Sequence, residues 1–194
     1  FFMTNNLYKF EEVISKSRFI VLEMNVQIDN GEYGEYYKDY IELVQTESLL
    51  KELNSSVSDL RILLIDLTVE QGEYRYAEGK WNIKELIQHL IDTEKVFIYR
   101  ALRFVRNDSQ ELLGYDHNEY VEQSKVDNRS ITDLLDELEL QRQLTIHFFK
   151  HLDQDDLIRC GKANGSNLSV RAIGYIQIGH VLHHTRIIKD RYLK

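Results

Sequence analysis

The segment GHVLHHTRIIKDRY at residues 179–192 places His180, His183 and His184 within five positions. Imidazoles at i and i+4 sit one turn apart on one helix face, where they can converge on one ion at zinc–nitrogen distances of about 2.0–2.1 Å. Only His180 and His184 have that spacing here. On a helical wheel the apolar arc of this segment centres between Ile173 and Val170. His184 lies about 10° from that centre, His180 about 50° and His183 roughly 110°. The sequence therefore turns His180 and His184 inward and His183 outward. Two inward histidines read either as metal ligands or as hydrogen-bonded core residues, since each buried neutral imidazole needs a partner.

Other metal chemistries are excluded by residue type. Val181 stands where the H-E-x-x-H motif of a zinc peptidase needs its glutamate. No Glu-x-x-His motif is present, so a carboxylate-bridged di-iron bundle is excluded as well. His147 and His151 repeat the i, i+4 spacing, but lie about 165° and 125° from their own apolar centre and are expected in solvent. His89 occupies the flank of another apolar arc together with Asp92, Val96, Arg100 and Arg103. That stripe is either a solvated face or the wall of a polar cleft. His117 falls in a polar link, and its spacing assigns it nothing.

Four segments with helical periodicity must position these groups. At residues 46–68, Leu49, Leu53, Val57, Leu60, Leu64 and Leu67 recur at spacings of three and four, with Thr46 as the expected N-cap. At 82–106, Asn82 and Glu85 form a capping-box pattern ahead of Leu86, Leu90, Phe97 and Phe104. At 130–152 the helix starts near Ser130, and Thr145 interrupts the apolar side. The fourth segment is 168–193. Four amphipathic helices of this length predict an all-α four-helix bundle. The links 69–81, 107–129 and 153–167 permit crossover as well as up-and-down topology. The last link contains Asn164-Gly165, a turn signal. In the first 40 residues, Leu22, Met24, Val26 and Ile28 alternate with polar residues and predict a strand. The Tyr-rich block 32–40 reads as a connecting stretch. The expected organisation is an N-terminal extended arm at 1–40 and a helical domain at 41–194.

Composition narrows the function classes. A net charge of −8 argues against nucleic acid and membrane surfaces as partners, both of which select clustered Lys and Arg. The N-terminal stretch FFMTNNLYKF lacks the basic-then-apolar layout of a signal peptide, and the single Cys160 suits a reducing cytoplasm. The absence of proline permits long uninterrupted helices.

Three stretches together carry a family likeness: YRYAEGKWNIKELIQHLIDTEKVFIYRALRF (74–104), LLGYDHNEYV (112–121) and GHVLHHTRIIKDRYL (179–193). From about residue 33 onward the chain resembles the DinB/YfiT-like superfamily. The resemblance implies a four-helix bundle, often homodimeric, holding a divalent metal, zinc or nickel foremost. One histidine comes from the second bundle helix and two from the fourth, here His89, His180 and His184. Leu113 departs from the family, which often has proline there. The implied activities are metal-dependent hydrolysis of a small-molecule substrate, or transfer of a low-molecular-weight thiol to one. Asp92 is then expected as general base, or as the carboxylate holding His89, because metal-bound imidazoles usually donate their other N–H. The expected role of Arg100 is to bind an anionic group of a thiol cofactor or substrate, or else to pair with an acidic side chain. Tyr115, Asp116 and Tyr120 are expected over the cleft, with Trp81 as a packing anchor. The alternative is a non-catalytic dimeric helical scaffold, with or without metal.

Overall fold

The computed structural model describes residues 28–46 and 48–193. Four long helices form the bundle: α2 (Leu49–Leu64), α4 (Ile83–Val105), α6 (Ile131–Lys150) and α8 (Val170–Arg191). Short helices α1 (Lys38–Glu42), α3 (Val69–Glu73), α5 (His117–Gln123) and α7 (Gln154–Ile158) lie outside it, with a hairpin of β1 (Cys160–Ala163) and β2 (Ser166–Ser169). The N-termini are capped by side chains that satisfy otherwise orphaned backbone N–H groups. Asn82 and Glu85 form the expected reciprocal box on α4, and Ser130 accepts from Asp133 N on α6. The cap of α2 is Ser48 rather than Thr46. Thr46 instead accepts from the Ser48 N–H through its hydroxyl, two residues ahead of the cap.

The link 153–167 differs from its sequence reading. Asn164 and Gly165 both adopt positive φ, 50° and 76°, and close an antiparallel hairpin with Cys160 opposite Ser169. Asn-Gly is the favoured pair for such a turn. Four-residue strands are too short to produce a visible alternation, so only the turn was legible. The hairpin takes residues 166–169, which shortens the expected fourth helix to a start at Val170, where Ser169 accepts from Ala172 N.

The order of the helices in space is not their order in sequence. α4 packs against α6 and α8, and α2 packs against the same two, so α2 and α4 are diagonal, as are α6 and α8. Side-chain pairs give the directions. Lys84 with Asp127 and Lys95 with Glu137 advance together, so α4 and α6 run parallel. Arg61 with Asp136 and Asn54 with Gln143 run oppositely, so α2 and α6 are antiparallel. Parallel neighbours need a return connection. That is why the link 107–129 is long: it travels back along α4 from its C-terminal to its N-terminal end.

A buried polar layer divides the core into two apolar clusters. Leu53, Phe97, Phe149 and Ile176 belong to one, and Val57, Ile91, Leu138 and Val181 to the other. Between them Arg142, 1% exposed, makes a bidentate pair with Glu94 and also donates to Ser56 Oγ. The polar interruption at Thr145 is explained here, since its hydroxyl donates to Glu94 Oε1 at 2.7 Å.

The Tyr-rich block does more than connect. It folds into helical turns ending in α1, which lies on α8, and Tyr37 is buried with its ring edge-on to Phe97. Glu32 pairs with Arg171 of α8. The strand expected at 22–28 lies outside the described residues except for Ile28, which is buried and not in a strand.

Candidate metal centre

Antiparallel packing of α4 on α8 brings the N-terminal half of one against the C-terminal half of the other. His89 thereby meets His180 and His184. His180 Nε2 stands 3.0 Å from His89 Nε2 and 3.0 Å from His184 Nε2. The three rings are buried, at 8, 8 and 9% exposure. They form a cluster whose donor atoms all lie within 4.8 Å of one another. Burial holds all three in the neutral form. His89 is pushed down to about 4 by desolvation, helped by nearby His117. His180 and His184 fall well below the ordinary range through desolvation and their mutual proximity.

Hydrogen bonding alone does not account for this arrangement. A neutral imidazole has one N–H and one lone pair. His180 Nε2 faces two other Nε2 atoms but can accept from, or donate to, only one of them with good geometry. Protonating a ring would add charge where burial disfavours it. His184 Nδ1 is buried without a hydrogen-bond partner among the described residues. A cation accepting three lone pairs removes the conflict. Three nitrogens each about 2.0–2.1 Å from one ion stand about 3.0–3.4 Å apart, which the two separations from His180 Nε2 match.

The surrounding groups fix the rings. Thr93, one turn after His89, has its hydroxyl 3.5 Å from His89 Nδ1 and 2.9 Å from the Tyr115 hydroxyl. Trp81 stacks beside His89 at 4.7 Å between ring centres, and Tyr40 meets His180 edge-on at 5.4 Å. The structure does not bring Asp92 to the cluster. Its carboxylate accepts from Gln88 Nε2 at 2.9 Å, and burial pushes its pKa up. Residue 92 is turned about 60° from His89 in one sense and residue 93 about 40° in the other, so Thr93 takes the place expected of the carboxylate. The i, i+4 spacing to His89 was the available signal for Thr93.

Above the cluster opens a cleft of about 420 Å³. Its near end is formed by Trp81, His117 and the three histidines, and its far end by Arg100 and Tyr37. The return link 107–129 supplies one wall. Along α4 it places the Leu113 carbonyl on Arg100, Tyr115 on Thr93, and the His117 ring 5.6 Å from that of His89. Tyr115 and Asp116 line the cleft, whereas Tyr120 stacks behind Tyr115 and is half exposed. Asp116 is engaged as the cap of α5. Arg100 is only 3% exposed. His147 on α6 and His151 just after it are exposed, and His183 turns to the Tyr40 ring instead of the cluster.

The fold has known counterparts. The solved structure of YfiT from Bacillus subtilis, described as a probable metal-dependent hydrolase with an unusual four-helix bundle topology, superposes with a TM-score of 0.59. It is 15% identical, and the match covers 85% of this chain and 93% of that one. At that identity the likeness concerns the fold. A search of curated proteins found no significant match. The family model of the DinB superfamily matches residues 52–188, a span that holds all three histidines. The chain belongs to the DinB superfamily.

Proposed function

We propose that the protein is a metal-dependent enzyme acting on a small molecule, with one divalent ion, zinc or nickel foremost, held by His89, His180 and His184. The observation that carries this reading is the convergence of three neutral, buried Nε2 atoms beneath an open cleft. Three protein ligands leave room for a guest, as in catalytic rather than structural zinc sites. When bound, such an ion supplies Lewis acidity and acidifies a water or thiol that reaches its open positions. The chain's own residues do the rest. Thr93, with Tyr115 behind it, orients His89 through Nδ1. Trp81 and Tyr40 pack the rings from either side. His117, at the cleft mouth, is the group placed to carry a proton to or from a reacting atom, a role the cleft does not offer to Asp92.

Hydrolysis and thiol transfer both fit such a site. The description of YfiT as a probable metal-dependent hydrolase favours hydrolysis by analogy. One feature of this cleft favours thiol transfer: among the described residues its only lining carboxylate, Asp116, is already engaged in a helix cap. Beyond the ionisation that a metal would supply to either nucleophile, further proton transfer in hydrolysis would be left to His117, whereas a thiol attacking an electrophile asks less of the cleft. We further propose a homodimer acting in the cytoplasm. No described helix is long and apolar enough to cross a membrane.

The deciding experiment is metal analysis of the purified protein after reconstitution with zinc or nickel. One ion per chain, lost in a His89/His180/His184→Ala triple variant and retained in His183→Ala and His147→Ala, is expected. Equal metal in the triple variant, or none in the wild type, ends the enzyme reading and leaves a helical scaffold. Monobromobimane with a panel of small thiols, beside a panel of ester and amide substrates, separates transfer from hydrolysis. Sedimentation reads the assembly.

A further inference from the structure

The far end of the cleft contains a charge that no described carboxylate neutralises. Seven arginines (61, 75, 103, 129, 142, 159 and 171) each meet a carboxylate. Among the described residues Arg100 meets none, although it is 3% exposed. Among the described residues its guanidinium donates to the Leu113 carbonyl at 3.2 Å, lies over the Phe97 ring at 5.2 Å, and faces the Tyr37 hydroxyl. A buried cation without a counter-ion is costly. The other deeply buried arginine, Arg142, is matched by Glu94 in a bidentate pair. Arg100 has spare donors, and it lines the same cleft as the three histidines.

We propose that Arg100 binds a carboxylate of the substrate or cosubstrate, so that the ligand is an elongated molecule with a metal-binding head and a carboxylate tail. This rests on the metal reading above. A guanidinium presents paired N–H groups that match a carboxylate bidentately. A single cation at that end fits a monoanion better than a phosphate dianion, because among the described residues Arg100 is the only Lys or Arg lining the cleft. The length follows from the helix. His89 and Arg100 are 11 residues apart on α4, three turns along nearly the same face, or about 16 Å of axis. The guanidinium leans back toward the helix N-terminus and shortens that reach. A head and tail several methylenes apart are therefore required. Phe97 and Ile176 line the cleft and supply apolar wall between the ends.

The test uses cobalt(II)-loaded protein, whose thiolate charge-transfer band reports binding, with 6-mercaptohexanoate and neutral 6-mercaptohexanol as matched probes. Wild type is expected to bind the acid at least tenfold more tightly than the alcohol. Arg100→Met, close in volume, should bring the acid down to the affinity of the alcohol while cobalt stoichiometry and alcohol binding are unchanged. Arg100→Lys should recover part of the preference. Equal affinities in wild type, or a preference that survives in Arg100→Met, overturns the proposal. A metal-free arm keeps the two readings apart. In chelator, hexanoate but not hexanol should raise the melting temperature of wild type, and neither should raise that of Arg100→Met. An absent thiolate band with this protection intact refutes the metal reading alone. A band without acid preference refutes the carboxylate site alone.

Discussion

Acidifying the metal-free protein should unfold it through its histidines, and the size of the effect follows from burial. An unfolded imidazole takes up its proton near pH 6.5. Folded His89 does so only at about 4, and His180 and His184 are held well below the ordinary value. Below pH 6.5 the unfolded chain therefore binds more protons than the folded one, and stability falls as pH falls. Between pH 7.5 and 5.5 each ring that stays neutral in the fold costs about 1.4 kcal/mol, and three together about 4 kcal/mol. Carboxylates with ordinary values near 4 contribute little in that window, and Asp92, which burial pushes up, is unchanged in every variant compared. Against a usual stability of about 5–15 kcal/mol the loss is large. The assay is urea unfolding at a series of pH values in chelator, comparing wild type with His180→Ala, the triple variant and His147→Ala. His180→Ala should flatten the pH dependence by about 1.4 kcal/mol and the triple variant by about 4 kcal/mol, while His147→Ala leaves it unchanged. A triple variant with the wild-type pH dependence refutes the reasoning, because the rings would then titrate alike in both states. Excess zinc should restore stability at the upper end of the window by mass action on the folded state.

Three further outcomes are expected. Glu94→Ala leaves the Arg142 guanidinium buried without its partner and should cost about 3–5 kcal/mol in urea unfolding at pH 7. Thr93→Val removes the hydroxyl beside His89 Nδ1 and should weaken metal binding about 10- to 100-fold in competition with a chromophoric chelator, with Thr93→Ser close to wild type. Gly179→Ala would put a Cβ 1.9 Å from the Tyr40 carbonyl oxygen, forcing α1 off α8. It should lower stability by at least about 1–3 kcal/mol and move Tyr40 away from His180, read by thermal unfolding and by the His180 ring proton shifts.

Much of the bundle was legible because it rests on local rules. The 3.6-residue repeat of Leu49, Leu53, Val57, Leu60 and Leu64 gave α2, and all five are buried. The capping residues Asn82 and Ser130 marked two starts correctly. The wheel separates His180 and His184 from His183 without knowledge of any contact, since burial on a helix is a matter of angle. The hairpin at 160–169 was hidden because four-residue strands carry no readable period. Thr46 reads as a cap as readily as Ser48 because both residue types cap helices, and only backbone geometry distinguishes the residue just outside the helix.

Chain periodicity says which face of a helix is buried but not which helix it is buried against. That step belonged to the tertiary structure. The diagonal placement of α2 and α4 makes α4 and α8 neighbours, and their antiparallel packing sets His89 beside His180 across 91 residues. The parallel run of α4 and α6 requires the long return link, and that link carries Tyr115 and His117 to the cleft. The same packing matched Arg142 to Glu94 and, among the described residues, left Arg100 buried without a counter-ion, whereas Asp92 with Gln88 and Thr93 with His89 are i, i+4 pairs within α4. Sequence by itself determined the long helices, their inward faces and the residue types on them, because those depend on interactions within a few residues. Which polar groups meet across the core was decided only by the fold, because such pairing depends on helix order and direction, which a single strip of periodicity does not encode.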